Sequence, residues 1–129
     1  MKTNFNVAIA LVAGTAIGIA THQTLRAKAK APAYLVIEVD VTNPNLYKEY
    51  LDKNRPLTAQ FGGRFIARGG KIDAFAGEPP KRAIIAVFES IEKAETFRDS
   101  TAYKELIPLR DKASKYRAYI TEGVADQGG

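Results

Sequence analysis

Two arginines near the middle of the chain have the residue type and spacing of an anion-binding pair. Arg64 and Arg68 lie between two glycine pairs, Gly62-Gly63 and Gly69-Gly70. A guanidinium group presents its N–H donors as a planar fork that matches the oxygens of a carboxylate or a phosphate. Since alternate residues of a strand point to the same side, Arg64, Ile66 and Arg68 are predicted to share one face of a sheet.

Glu38 and Tyr50 could line the same cleft as the two arginines. Glu38 stands two positions before Asp40, and a buried carboxylate pair of this kind could transfer protons. Tyr50 and Tyr103 each carry a phenol that could donate a hydrogen bond to a ligand. We therefore predict a ligand-binding site, with no catalytic residue assigned, whose candidate residues are Glu38, Tyr50, Arg64 and Arg68.

Structural roles are the alternatives for these residues. The arginines could form ion pairs with Glu38 or Glu122, and the carboxylates could be solvated charges at a sheet edge. The tyrosines could lie at the rim of the core, with the ring buried and the hydroxyl in water. Ser100 has no histidine to activate it, so we expect it to cap a helix and not to act as a nucleophile.

Composition excludes several classes of site. The 129 residues contain no Cys and a single His, His22, which lies ahead of the predicted domain. Disulfides, thiolate nucleophiles and the commonest metal and haem ligands are thereby excluded from the domain, so we predict neither a metal nor a cofactor. Of the formal net charge of +5, three charges fall in residues 1–29, and the other basic residues alternate with acidic ones. No nucleic-acid partner is therefore predicted.

The first 29 residues have the organisation of a secretory signal peptide. Lys2 precedes an uncharged stretch with an apolar centre over 7–20, and Ala27-Lys28-Ala29 has the small-x-small form of a signal-peptidase site. We expect a periplasmic or secreted protein; the alternative is a membrane anchor over 5–25, which would be its only membrane contact. The predicted organisation is a signal peptide 1–29, a linker 30–33, a domain 34–124 and a flexible tail 125–129.

The hydrophobic pattern of the domain predicts the order strand, helix, strand, strand, helix, strand. Apolar residues predict strands over 34–41, 64–68, 82–89 and 117–123, with a weaker extended segment over 71–76. Asn43, Ser90 and Ser100 are expected helix N-caps, and Pro56 and Pro108 are expected to interrupt the first and last helices. The expected inward stripe of the last helix is Ala102, Leu106, Leu109 and Ala113. This order predicts an α+β, ferredoxin-like βαββαβ antiparallel sheet with helices on one face.

The face of the sheet without helices is predicted to be an interface. It would expose Tyr34, Val36, Ile66 and the apolar residues of the third strand. Contiguous exposed apolar surface usually marks an interaction site. Pairing two such faces about a two-fold axis would bury both, so a homodimer is predicted.

Short motifs distributed along the domain carry a family resemblance. They are Tyr34, Phe61-Gly62-Gly63-Arg64, Ala67-Arg68-Gly69-Gly70, Phe88-Glu89, Ser100-x-x-Tyr103, Leu109-Arg110 and Glu122-Gly123. Together they resemble the DUF1330 family, a domain of unknown function, and the Gly-Gly-Arg and Arg-Gly-Gly pair is the most specific part. The resemblance implies the dimeric α/β-barrel version of the ferredoxin-like fold and leaves the chemistry open.

Three functional hypotheses follow from these observations. The first is an exported homodimer that binds a small organic or anionic molecule in the predicted cleft. The second, by analogy with other dimeric α/β-barrel proteins, is a cofactor-independent enzyme of the oxygenase or isomerase type. The third is a structural or interaction module. If both arginines pair with carboxylates and no cavity lies beside them, the binding and the enzyme hypotheses weaken together.

Overall fold

The computed structural model of the protein describes residues 30–125. The predicted signal peptide and the last four residues of the predicted tail lie outside the described residues. Within the described range, no helix combines the length and the apolar character needed to cross a membrane.

Four strands and three helices make up the described domain. In chain order they are β1 (Ala33–Val41), α1 (Pro44–Gln60), β2 (Arg64–Arg68), β3 (Arg82–Phe88), α2 (Ile91–Asp99), α3 (Thr101–Ala113) and β4 (Ser114–Glu122). The strands form one antiparallel sheet in the order β2-β3-β1-β4. The predicted α+β, ferredoxin-like fold of the dimeric α/β-barrel type is confirmed.

The predicted caps start the helices, but the prolines do not divide them. The Asn43 side chain accepts a hydrogen bond from the Leu46 N–H (3.2 Å), and Pro44 occupies the first turn, where its missing N–H costs nothing. Pro56 and Pro108 lie inside α1 and α3, which continue through them, so the predicted division into two abutting helical pieces is wrong; a kink was the other predicted outcome. Both prolines are on exposed positions, where water can satisfy the carbonyl that loses its partner.

The weak extended segment predicted over 71–76 does not form a strand. It belongs to an exposed irregular connection between β2 and β3, in which Phe75 is 100% exposed. β2 has β3 on one side only, and no described strand lies beside 71–76 to hydrogen-bond with it. A strand propensity without a pairing partner does not form a strand.

A bulge in β2 separates the two arginines. Arg64 pairs with Val87, whereas Arg68 pairs with Ile84, because Ile66 is an extra residue in the ladder. Five residues of β2, 64–68, therefore lie opposite four residues of β3, 84–87, and Val87 and Ile84 point to opposite faces. The predicted shared face is wrong: Arg64 belongs to the face without helices and Arg68 to the helix-covered face.

The core lies between the sheet and the helices, on what we call the helix face. Its buried hydrophobic residues are Ala33, Ile37, Val39, Tyr47, Tyr50, Ile84, Ala86, Phe88, Ala94, Phe97, Tyr103 and Ala113. In α3 the predicted inward residue Ala102 is exposed, and Tyr103 is buried in its place. The reason is an aromatic contact, since the Tyr103 and Phe97 rings lie with their centroids 4.8 Å apart.

The opposite side of the sheet, the open face, is apolar over much of its area. Tyr34 and Val36 of β1 and the β3 residues Ile85 and Val87 alternate with the buried core residues of the same strands. Two large side chains, Tyr119 opposite Val36 on this face and Ile66 at the bulge of β2, are each 49% exposed.

Candidate functional site

The four predicted site residues do not line one cleft. Glu38 lies on the open face, where its carboxylate pairs with Arg117 at 2.6 Å. Tyr50 is 2% exposed on the helix face. Arg64 and Arg68 both line a groove along the outer edge of β2, and Arg68 also lines a small inner cavity with Tyr50. The structure thus brings Arg68 together with Arg64 and with Tyr50, and leaves Glu38 apart from all three.

A cavity that the sequence did not indicate opens between α2, α3 and the β4 edge of the sheet. We call it the Arg110 cavity; its volume is about 480 Å³. Its apolar walls come from Leu35, Ile91, Ala94, Phe97, Ala118 and Ile120, and its polar lining from Glu95, Arg98, Tyr103 and Arg110; Tyr119 of β4 also borders it. Mostly apolar walls with a few convergent polar groups are the usual make-up of a small-molecule site.

Arg110 is the best-positioned cation of this cavity. Its side chain is 18% exposed, its Nε donates to Asp111 (2.9 Å), and its Nη1 donates to the Tyr103 hydroxyl (3.1 Å). The guanidinium also lies 4.5 Å from the centre of the Tyr116 ring. Burial lowers the pKa of Arg110, but the hydrogen bonds to Tyr103 and Asp111 outweigh it, so the net pKa is raised and the charge is retained. The remaining guanidinium N–H groups have no acceptor among the described residues, which leaves donors for a ligand.

Buried phenols stand behind Arg110. The hydroxyls of Tyr50 and Tyr103 are 3.5 Å apart, and the rings of Tyr50 and Tyr116 meet edge to face with centroids 6.3 Å apart. Burial, followed by the proximity of the other phenols, raises the pKa of Tyr50 and of Tyr116. Both are therefore neutral groups that can donate a hydrogen bond at physiological pH and cannot serve as bases there.

The start of α3 places Tyr103 and Arg110 on the cavity wall. The Ser100 hydroxyl accepts a hydrogen bond from the Tyr103 N–H (3.2 Å) and donates to the carbonyl of Phe97 (2.8 Å), which joins the end of α2 to the start of α3. Tyr103 and Arg110 are seven positions apart, or about two helical turns, so they project from the same side of α3. The predicted capping role of Ser100 is confirmed.

The sequence contained part of this signal. Tyr103 and Arg110 both belong to the motifs Ser100-x-x-Tyr103 and Leu109-Arg110, and their spacing of seven fits one helix face. The sequence pattern does not show which other elements lie beside Tyr103 and Arg110. The apolar walls come from β1, β4 and α2, and only the fold brings these elements to α3. Among residues 30–125, no group of three or more His, Cys, Asp or Glu side chains is placed to hold a metal ion.

The fold and the helix-face cavity define a ferredoxin-like domain of the dimeric α/β-barrel type. The model of one family, "Domain of unknown function (DUF1330)", matches residues 32–124. The match covers well over half of the chain, so the protein belongs to the DUF1330 family, as the motifs predicted. No curated protein has a significant match to the chain.

Solved structures share this fold at low sequence identity. RPA0582, a protein of unknown function from Rhodopseudomonas palustris, is similar with a TM-score of 0.60 and 16% identity, over 81% of this chain and 92% of that one. Its methylated form gives a TM-score of 0.58 at 16% identity, over 83% and 92%. SnoaB, a cofactor-independent oxygenase from Streptomyces nogalater, gives a TM-score of 0.52 at 9% identity, over 77% and 99%. At these identities the likeness shows the fold alone.

Proposed function

We propose that this protein is an exported homodimer that binds a small organic anion in the Arg110 cavity. One observation carries the proposal: the Arg110 guanidinium and the Tyr103 hydroxyl, 3.1 Å apart, meet on the wall of a mostly apolar cavity of about 480 Å³. Small-molecule sites commonly have volumes of roughly 300–1,000 Å³. The apolar walls suit a ring or an alkyl body, and the cation with its neighbouring phenol suits a carboxylate at one end.

Binding is better supported than catalysis by the chemistry of the site. The fold is shared with the cofactor-independent oxygenase SnoaB, and such a reaction on this chain would need a group that can take a proton near neutral pH. The phenols behind Arg110 have raised pKa values, which moves them away from that role. Arg110 itself remains charged, which favours holding an anion.

The binding proposal is tested with a thermal-shift screen of small aromatic and aliphatic carboxylic acids, each paired with its neutral methyl ester. We expect acids to raise the melting temperature more than their esters do, because only the acid presents a charge to Arg110. For the best acid, Arg110→Gln should weaken binding at least about tenfold, the loss expected for a charge-assisted hydrogen bond. Arg64→Gln, which removes a cation outside the cavity, is the matched control and should bind normally. Equal binding of acids and esters, or an acid whose affinity survives Arg110→Gln, would refute the assignment.

The homodimer part of the proposal rests on the open face. Tyr119 is 49% exposed there, beside apolar residues of β1 and β3, and Ile66 at the bulge of β2 is exposed to the same extent. A second copy offers the same apolar surface, so two-fold pairing of the open faces would bury both. We expect Tyr119→Lys to convert the dimer to a monomer in light scattering, whereas Phe75→Lys, a change of the same kind at a residue 100% exposed in a loop, should leave the dimer intact. A wild-type protein that is monomeric at micromolar concentration would contradict this part.

Export is tested separately, by N-terminal sequencing of the protein from its native host. We expect the mature chain to begin at residue 30, directly after Ala29. A mature species that begins at Met1 or Lys2 would show that the leader is retained and would favour the membrane-anchored alternative.

A further inference from the structure

A second cavity with a different composition lies along the free edge of β2. We call it the β2-edge groove; its volume is about 490 Å³. Its lining contains three cationic side chains, Arg55, Arg64 and Arg68, and no acidic residue. The bulge at Ile66 turns Arg64 and Arg68 to different faces of the sheet, so that the two arginines reach the groove from its two sides.

These arginines are unpaired, unlike three of the four other arginines in the described domain. Arg98, Arg110 and Arg117 each form an ion pair with a carboxylate. Among residues 30–125, Arg55, Arg64 and Arg68 have no carboxylate within salt-bridge distance, and the same holds for the neighbouring Arg82 of β3. Like charges gathered without counter-charges repel one another, so an anion placed among them would be bound favourably.

Buried polar atoms next to the groove also lack partners. The Nε atoms of Arg55 and Arg82, the Tyr47 hydroxyl and the Asn54 Oδ1 are buried and have no hydrogen-bond partner. Tyr47 is 5% and Asn54 6% exposed, and both line the inner cavity of about 10 Å³ whose wall Arg55 and Arg68 share with the groove. Unsatisfied buried donors, here the two Nε–H groups and the Tyr47 hydroxyl, are uncommon and often mark a place where a ligand or an ion supplies the acceptor; the Asn54 Oδ1 is itself an acceptor and does not contribute to anion binding.

The groove is built on positioned elements. The guanidinium of Arg68 lies 5.4 Å from the centre of the Phe65 ring, which limits where it can go. Arg55 projects from α1, and its Nε is buried. The guanidinium of Arg82 lies 6.0 Å from the centre of the Tyr47 ring, and Arg55 and Tyr47 line the same inner cavity. Burial raises the pKa of Tyr47, and Arg82 and Arg55 act in the opposite direction.

We propose that the β2-edge groove binds a small oxyanion with at least two negative charges, such as a phosphate ester or a dicarboxylate, held by Arg55, Arg64 and Arg68. Two charges are needed because a monoanion would leave two of the three guanidinium groups without a counter-charge. Phosphate and carboxylate oxygens both accept the paired N–H donors of a guanidinium group. An extended acidic peptide is disfavoured, because β2 has five residues and the bulge at Ile66 breaks the regular edge that such a peptide would need.

Titration calorimetry of the full chain with pyrophosphate and with succinate, at constant ionic strength, tests this proposal. We expect saturable binding of at least one probe, and the tighter one identifies the chemical class. The double variant Arg64→Gln/Arg68→Gln should raise Kd at least about tenfold, from the loss of charge-assisted hydrogen bonds. Arg68→Lys should also weaken binding, because it keeps the charge and loses the fork. Arg64 and Arg68 are both exposed, so these variants are expected to fold normally.

Two controls separate this site from the Arg110 cavity and from general charge effects. Arg110→Gln should leave the Kd of pyrophosphate and succinate unchanged even if it abolishes binding of organic acids in its own cavity. Arg117→Gln, which removes an arginine from the open face, should also have no effect. The proposal is overturned if neither probe binds saturably, if the double variant binds as the wild type does, or if an acidic peptide binds while both small anions fail.

Discussion

In the Arg110 cavity the cation is 18% exposed and already engaged by Tyr103, Asp111 and the Tyr116 ring. In the β2-edge groove, Arg64 and Arg68 are exposed and, within residues 30–125, engaged by no carboxylate. The first arrangement orients one positive charge toward an apolar space. The second concentrates positive charge beside solvent. The same residue type therefore predicts a ligand with an organic body and one charge in the first place, and a compact multiply charged anion in the second.

Glycine substitutions next to the groove test whether this exposed region rests on a rigid backbone. A Cβ on Gly63 would lie 2.7 Å from both the Phe88 ring and the Thr58 methyl group, whereas a Cβ on Gly70 would meet nothing within 4 Å. We expect Gly63→Ala to lower the free energy of unfolding by about 3 kcal/mol through overpacking, and Gly70→Ala to change it by less than about 0.5 kcal/mol. Urea denaturation of both variants makes the measurement. If both substitutions changed the free energy of unfolding equally, the backbone beside the groove would be able to move to accommodate a methyl group, and the groove would not be preorganised.

Removing the cation should affect stability at one site and not at the other. Arg110→Met loses the hydrogen bond to Tyr103 and the contact with the Tyr116 ring, so we expect a loss of about 2 kcal/mol in unfolding free energy. Arg64→Met removes a side chain without an ion pair and should stay within about 0.5 kcal/mol of the wild type. Thermal denaturation of the two variants provides the comparison. If Arg64→Met were the more destabilising, the distinction between a paired and an unpaired cation would fail.

Alkaline pH should act on the phenols behind Arg110. In the unfolded chain Tyr50 and Tyr116 lose their protons near pH 10, whereas in the folded protein their pKa values are raised. The folded state therefore holds more protons above pH 10, and stability falls as the pH rises, by about 1.4 kcal/mol per pH unit for each such phenol. Below pH 10 both phenols are protonated in the folded and in the unfolded chain, so their full contribution to the free energy of unfolding is present there. Unfolding measured between pH 9 and about pH 11 should show a smaller slope for Tyr50→Phe than for the wild type; an unchanged slope would contradict the assignment.

Added salt should have the smallest effect on the free energy of unfolding, and this effect should come from the arginines of the β2-edge groove. Screening weakens repulsion among Arg55, Arg64 and Arg68, so added sodium chloride should stabilise the wild type by about 0.3 kcal/mol. The double variant Arg64→Gln/Arg68→Gln should lose this gain, whereas Arg110→Met should keep it. Melting temperatures at low and moderate chloride concentration make the test, and a gain that persists in the double variant would show that the repulsion lies elsewhere.

Local sequence signals predicted the strands, the caps and the apolar faces. Asn43, Ser90 and Ser100 act as caps as expected, because a cap depends only on residues within one helical turn. Pairing was harder to predict. The side to which Arg68 points depends on its partner Ile84 and on a bulge that no alternation of residue types announces.

The binding residues show the same limit. Tyr103 and Arg110 are close because they lie on one helix, so their spacing was visible in the sequence. Their significance comes from the cavity, whose walls are contributed by α2, α3, β1 and β4 together. Glu38 was proposed to join the arginines of β2, but β1 and β2 are separated by β3, and the cross-strand neighbour of Glu38 on β4 is Arg117. Long-range register, and not residue type, decided that outcome.

The extra residue at Ile66, and not the interval between the two arginines alone, determines the side of the sheet on which each charge lies. Removing that residue would leave Arg64 and Arg68 three positions apart in a regular ladder, so Arg68 would stay opposite Ile84 on the helix face. A single-codon deletion would thus keep both guanidinium groups in their present compartments, whereas a change that straightened the bulge without shortening β2 would bring the second one to the side of Arg64. Among relatives, an interval of four between these arginines would therefore place them in different compartments only where the bulge is present.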